Sequence, residues 1–429
     1  MKYFNINNPV EKVSLERAVM KSISTEAGLY LPEQIPKLPR DFTEELSTIN
    51  FQSIALEVSK AMMKDDITEN DLKKIIDNAL TFSIPLKALS ENLYVLELFH
   101  GPTLAFKDVG ARFMAGLFEY FLQNESKEVT ILVATSGDTG SAVANAFYNK
   151  KGINVLILYP SGKVSELQEK QLTTMGGNIT ALEVDGNFDD CQKMVKQAFS
   201  DVELNKKLIL TSANSINFAR LFPQSFYYFY AVAQLGKVNK PVVISVPSGN
   251  FGNLTAGLIA KKMGLNIHRF VASTNSNHAV PDYLINGKFM PATTQYTISN
   301  AMDVGNPSNF PRILKLYNDD YNKIAEEIKG YWFTDDETRV GMREIISEFN
   351  YQADPHGTIG YLGLKKFGIG DEHISIFLET AHPAKFPEEV EKATNKKVEI
   401  PSELSGLKHL EKKAKKISAE YKSLLKELV

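Results

Sequence analysis

Between residues 129 and 275 short, largely apolar runs alternate with longer stretches of helical period. The runs are VTILVAT, NVLILYP, ITALEVD, KLILTSAN, PVVISVP and HRFVAST, and another, HISIFLE, returns at 373–379. Uninterrupted rather than alternating hydrophobicity marks strands buried on both faces. Between them SAVANAFYNK, VSELQEKQLTTMGG, FDDCQKMVKQAF, FARLFPQSFYYFYAVAQLG and LTAGLIAKKMG space their apolar residues as helices do. Strands alternating with helices predict an α/β protein built on parallel sheets. Upstream, Val109, Phe113, Leu117 and Phe121 recur every four residues, the buried face of another helix.

Elsewhere the pattern loosens. The first 90 or so residues mix short helices with loops such as GLYLPEQIPKLP and read as a small, mostly helical domain. Residues 275–312, rich in Asn, Pro and Gly, read as one long irregular stretch, the kind that walls or covers a site. The tail LKHLEKKAKKISAEYKSLLKELV reads as a Lys-rich surface helix. The expected domains are 1–92, 93–235 and 236–429, since 429 residues exceed what one core usually serves.

Bulk properties narrow the function classes. Hydrophobic residues make up 43% and charged residues 23%, as in ordinary globular proteins. With 48 basic and 51 acidic residues, no global field draws in nucleic acid or an anionic membrane. The lone Cys191 rules out an internal disulfide framework and a cysteine-built metal site, and seven histidines show no HExxH spacing. No metal is expected. The start, MKYFNINNPVEKV, lacks the apolar core of a signal peptide, so a soluble cytoplasmic protein is expected.

Candidate chemistry collects where strands run into helices, which is where ligands sit in open parallel sheets. In SVPSGNFGNLTAG the strand meets Gly249, Asn250, Phe251, Gly252 and Asn253. Glycines let backbone N–H groups converge on an anion at a helix start, without matching either dinucleotide or P-loop spacing. In ATSGDTGSA, Ser136, Asp138 and Thr139 can cap a helix or receive a substrate anion. ANSINFAR offers Asn214, Asn217 and Arg220, and YPSGKVSELQ offers Lys163; together they could hold a second phosphate. ETAHPAKF sets Thr380 at a strand end, with His382 and Lys385 close behind.

One residue remains. In HGPTLAFKDVG, Lys107 follows Leu104, Ala105 and Phe106 at the mouth of a helix. Such a lysine either snorkels to water or is held there to react. A desolvated amine forms a Schiff base with an aldehyde. Pyridoxal phosphate brings that aldehyde, a phosphate that needs a cradle and a ring nitrogen that needs a partner. Lys107, the Gly249–Asn253 loop and Thr380 supply all three.

At these residues the chain resembles the threonine synthases, of the bacterial and fungal branch. The blocks are SLERAV…AGLYLPE, LELFHGPTLAFKD, ATSGDTGSAV, LYPSGKVSELQ, SANSINFAR, SVPSGNFGNLTAG, SNAMDVGNPSNFPR and ETAHPAKF. The resemblance implies a fold-type-II (tryptophan-synthase-β-like) pyridoxal-phosphate enzyme with an added N-terminal domain. It implies conversion of O-phospho-L-homoserine and water to L-threonine and phosphate. By the same resemblance Lys107 is the Schiff-base lysine, Gly249–Asn253 hold the cofactor phosphate, and Thr380 meets the pyridine nitrogen. Sister families usually carry Asn where this chain has Asp138. A monomer or weak homodimer is expected. The rival readings are a phospho-lyase or dehydratase giving a 2-oxo acid, and a non-catalytic binder of phosphometabolites.

Overall fold

Two parallel sheets carry the site. The structure is a computed structural model that describes residues 1–22, 28–123 and 128–429, except the side chain of Lys408. Ala27 of the AGLYLPE block lies outside the described residues. The larger sheet orders its strands Ile328–Trp332, Arg269–Thr274, Val242–Pro247, Ile374–Glu379, Leu93–Glu97 and Leu86–Ala88. All pair in parallel except the last, which is antiparallel to Leu93–Glu97. The smaller sheet is wholly parallel, ordered Ala414–Ser418, Ile179–Asp185, Ile153–Pro160, Val129–Ala134 and Ile209–Ser212.

Sheet membership crosses the expected boundaries. Leu93–Glu97 belongs with the C-terminal strands, and Ala414–Ser418 returns to the smaller sheet. Apolar patterning marks a strand but not its neighbour in space, so contiguity along the chain misassigned both. The tail is accordingly not one helix: it is the strand Ala414–Ser418 followed by the helix Tyr421–Leu428. Only Ile417 of that strand is buried, and an edge strand coated with lysine is easily taken for a solvated helix. The stretch 275–312 also holds a helix, Ala279–Asn286, packed through Val280 and Tyr283. The N-terminal region adds a three-stranded antiparallel sheet, Tyr3–Asn5, Lys12–Val13 and Tyr30–Pro32, to its helices.

The core runs through all three parts. The helix Lys107–Leu122 buries Val109, Phe113 and Leu117 as its period predicts, together with Met114 and Phe118 on the adjoining face. Its stripe is therefore too wide for a surface helix. Phe113 meets Phe226, and Phe118 meets Phe147. Full burial of each ring stabilises by about 1.5–3 kcal/mol. Arg312, fully buried, ties the N-terminal region to the rest by donating to the carbonyls of Tyr30, Ser215 and Ile216. Among the described residues, no helix is long and apolar enough to cross a membrane.

Candidate active site

Three neighbouring parallel strands of the larger sheet end side by side. Val242–Pro247 leads into the glycine loop, Ile374–Glu379 into Thr380, and Leu93–Glu97 into the segment that reaches Lys107. That last segment is pinned beside Thr380. Phe106 N–H donates to the Thr380 carbonyl at 2.8 Å, and His382 N–H donates to the Leu104 carbonyl at 3.0 Å. Leu104 itself holds a left-handed φ of +57°, uncommon for a side-chain-bearing residue, and the chain turns there into the helix that Lys107 begins.

In the glycine loop, backbone stands where side chains would not fit. A Cβ at Gly249 would lie 2.7 Å from Met302 Cα, and one at Gly252 would lie 2.8 Å from Ser215 Cβ. Phe251 takes a left-handed φ of +59° and heads the helix Gly252–Lys262. Asn250 braces the loop: its Nδ2 donates to Ser215 Oγ at 3.0 Å, and its Oδ1 accepts from Ser308 N–H at 2.6 Å. Asn253 Oδ1 accepts from the hydroxyls of Tyr227 and Tyr228 at 2.5 and 2.6 Å, while its Nδ2 is buried with no partner among the described residues. A helix start with tight glycines and an orphaned buried amide donor fits a phosphoryl group.

Lys107 is half-buried and makes no ion pair among the described residues. Burial pulls its ammonium from the ordinary 10.5 down to about 8; Asp138 works against that shift, and Lys385 and Arg220 add to it. The carboxylate that could have neutralised Lys107 is committed elsewhere. Asp138 Oδ1 lies 2.7 Å from Lys385 Nζ and accepts from Gln168 Nε2 at 2.8 Å. Burial opposes the Asp138 charge, but the ammoniums of Lys385 and Lys107 outweigh it and hold the carboxyl well below its usual range. Lys385 is fully buried and also donates to the Thr103 carbonyl at 2.9 Å. Asp138 therefore faces two lysines, and the expected role as a substrate-anion ligand gives way, since its charge would repel that anion.

The smaller sheet faces this group. Ser136 and Lys163 line one cavity with Phe188, Tyr296, Asn300 and Asp303. Burial pushes the Asp303 carboxyl from 3.8 up to about 7, against hydrogen bonds from Thr297 and Asn275. Thr139 lies half-buried in the first turn of the helix Asp138–Phe147. Asn214 Nδ2 donates to the Ala134 carbonyl, leaving its Oδ1 buried and unpaired among the described residues. Arg220 is buried in the surroundings of Lys107, with Nη1 bonded to the Ala213 carbonyl and Nε lacking a partner among the described residues. Asn217 is different: its amide donates to the Val19 and Ser212 carbonyls and its oxygen caps Ala219 N–H. With donors and acceptor spent, Asn217 shapes the turn, which corrects its expected contact with substrate.

Sequence reasoning missed Gln168, Asn300 and Asp303. Gln168 sits inside a helix pattern and Asn300 and Asp303 inside an irregular stretch, so no period or spacing singled them out. Lys385 was expected, with His382, only to line the same site as Thr380; its burial against Asp138 has no local signal.

Two facing parallel sheets, with a desolvated lysine, a glycine cradle and a strand-end threonine gathered at one sheet edge, define a fold-type-II pyridoxal-phosphate enzyme. Residues 78–377 match the family of pyridoxal-phosphate dependent enzymes, residues 2–80 the threonine synthase N terminus, and residues 364–429 the threonine synthase C-terminal family. The threonine synthase of Haemophilus influenzae is 47% identical over 405 residues, 94% of each chain. The crystal structure of threonine synthase from Escherichia coli superposes with a TM-score of 0.94 at 42% identity, covering 100% of this chain and 99% of that one. A pyridoxal-phosphate-bound threonine synthase from Brucella melitensis follows at 0.92 and 33%, covering 100% and 98%. The chain belongs to the threonine synthase family of pyridoxal-phosphate-dependent enzymes.

Proposed function

We propose that this protein converts O-phospho-L-homoserine and water into L-threonine and phosphate. Bound pyridoxal phosphate supplies an electron sink for the negative charge that develops on the substrate carbons. Everything else falls to the protein. Lys107 would hold the cofactor, and its neutral amine would take the proton from the α-carbon. Desolvation favours that neutral form, since the amine sits near 8 rather than 10.5. The backbone of Gly249, Asn250, Phe251, Gly252 and Asn253 would hold the cofactor's phosphoryl group, and the Thr380 hydroxyl would meet its ring nitrogen. Ser136, Thr139, Lys163, Asn214 and Arg220 receive the substrate's anionic groups. The cations among them oppose charge growing on the departing phosphate, and so favour the transition state over the ground state. The protein works in the cytoplasm as a monomer or weak homodimer.

The observation that carries this reading is the meeting of the glycine loop, Thr380 and Lys107 at the ends of three adjacent strands. An assay with O-phospho-L-homoserine tests it: threonine and phosphate should form in equal amounts. A 2-oxo acid without threonine would point to the lyase rival and defeat the proposal. Lys107→Ala should abolish turnover at an unchanged melting temperature.

A further inference from the structure

Behind Thr380 lies a buried polar chain with no part in the steps above. Glu379, Asp354 and His356 are all essentially inaccessible. Asp354 caps the helix Pro355–Phe367; its N–H donates to Glu379 Oε1 at 2.6 Å, and its Oδ1 accepts from Gly357 N–H at 2.6 Å. Its Oδ2 stands 2.6 Å from His356 Nδ1, and His356 Nε2 stands 3.2 Å from the Ala301 nitrogen. A backbone N–H only donates, so Nε2 accepts and the ring proton lies on Nδ1, directed at Asp354. The Phe386 ring packs on the imidazole at 4.9 Å.

What His356 grips is the turn Asn300–Met302. On one side that turn abuts the glycine loop, with Ala301 O and Met302 Cα at 3.0 and 2.7 Å from where a Gly249 Cβ would be. On the other, Asn300 and Asp303 line the cavity shared with Ser136 and Lys163. Asn300 Oδ1 is buried without a partner among the described residues. His356 itself does not line that cavity.

We propose that His356 is a positioning residue for the phosphorylated substrate: through Nε2 it holds the Asn300–Asp303 turn against the glycine loop, fixing Asn300 and Asp303 opposite Ser136 and Lys163. This rests on the reading of that cavity as the substrate site. The two ring nitrogens have separate tasks, and two amide substitutions separate them. In His356→Asn the amide reaches only as far as Nδ1, keeping Asp354 and leaving Ala301 N–H bare. In His356→Gln a carbonyl reaches the Nε2 position.

The test compares KM and kcat for O-phospho-L-homoserine, cofactor content by absorbance, and hydrogen exchange of a peptide spanning 296–305. H356N should raise KM about ten-fold or more, the scale of one buried hydrogen bond lost, with kcat and cofactor content changing far less. Exchange in 296–305 should quicken. H356Q should return both readouts toward the parent protein. Equal KM in the two variants, or a fall in kcat and stability without a separate change in KM and exchange, overturns the proposal. Should H356N fail to fold, Asn300→Ala must raise KM in a folded protein, and an unchanged KM is equally fatal. A parent protein that makes no threonine sinks the assigned reaction instead, and the exchange comparison still decides whether His356 anchors the turn.

Discussion

Lys107 owes its character to a partner it is denied. A lysine amine beside a buried carboxylate would normally pair with it and stay charged, but Lys385 takes Asp138 at 2.7 Å. Lys107 is left facing an ion pair rather than a bare anion, and burial then brings its ammonium to about 8. The sign of each neighbour gives a test in the cofactor-free protein. Only the neutral amine attacks an aldehyde, so recombination with pyridoxal phosphate should accelerate as pH rises through about 8, not near the ordinary 10.5. Asp138→Asn removes the group that raises the value and should move the midpoint down. Lys385→Met removes a group that lowers it and should move the midpoint up. Each variant strands a buried charge and should cost about 3–5 kcal/mol of stability, so melting curves must show the fold intact at the assay temperature. Midpoints that move the same way in both variants would mean the pair does not govern Lys107.

The glycine loop works as an element because its backbone is squeezed between two others. Gly249 faces the backbone of Ala301 and Met302, which cannot swing aside as a flexible side chain can. Gly249→Ala should therefore displace the loop at about 1–3 kcal/mol and loosen the cofactor by about ten-fold or more, read as cofactor retained after dialysis. Gly370→Ala is the control, since nothing lies within 4 Å of an added Cβ there. Equal retention in the two would show that the cradle tolerates movement. Elements of this kind were legible in the sequence, because strand, glycine turn and helix are adjacent in the chain and each leaves a local signature. The helix at Lys107 was legible for the same reason. The edge strand Ala414–Ser418 was not, because one buried residue, Ile417, is no period. Nor were Lys385 against Asp138 or His356 under Ala301, whose partners lie 247 and 55 residues away (385 − 138; 356 − 301). Spacing cannot report a contact made only by folding.

Across the whole molecule the two sheets divide the proposed work. Lys107, the glycine loop and Thr380 all follow strands of the larger sheet, whereas Ser136, Lys163, Asn214 and Arg220 follow strands of the smaller one. The cofactor would thus be held from the larger sheet, and the substrate between the smaller sheet and the Asn300–Asp303 turn that follows Arg269–Thr274 of the larger one. The C-terminal segment belongs to the substrate side alone: Ala414–Ser418 extends the smaller sheet beside Ile179–Asp185, and Ile417 and Leu424 join the apolar cluster that backs it. Ending the chain at Lys413 removes both side chains, about 3–6 kcal/mol of burial, and bares a sheet edge. The truncated protein should melt earlier and aggregate more readily. Below its melting temperature it should keep pyridoxal phosphate while its KM for O-phospho-L-homoserine rises, because only the smaller sheet has lost support. Cofactor loss in step with the rise in KM would show that the sheets respond as one body and that the division is not mechanical.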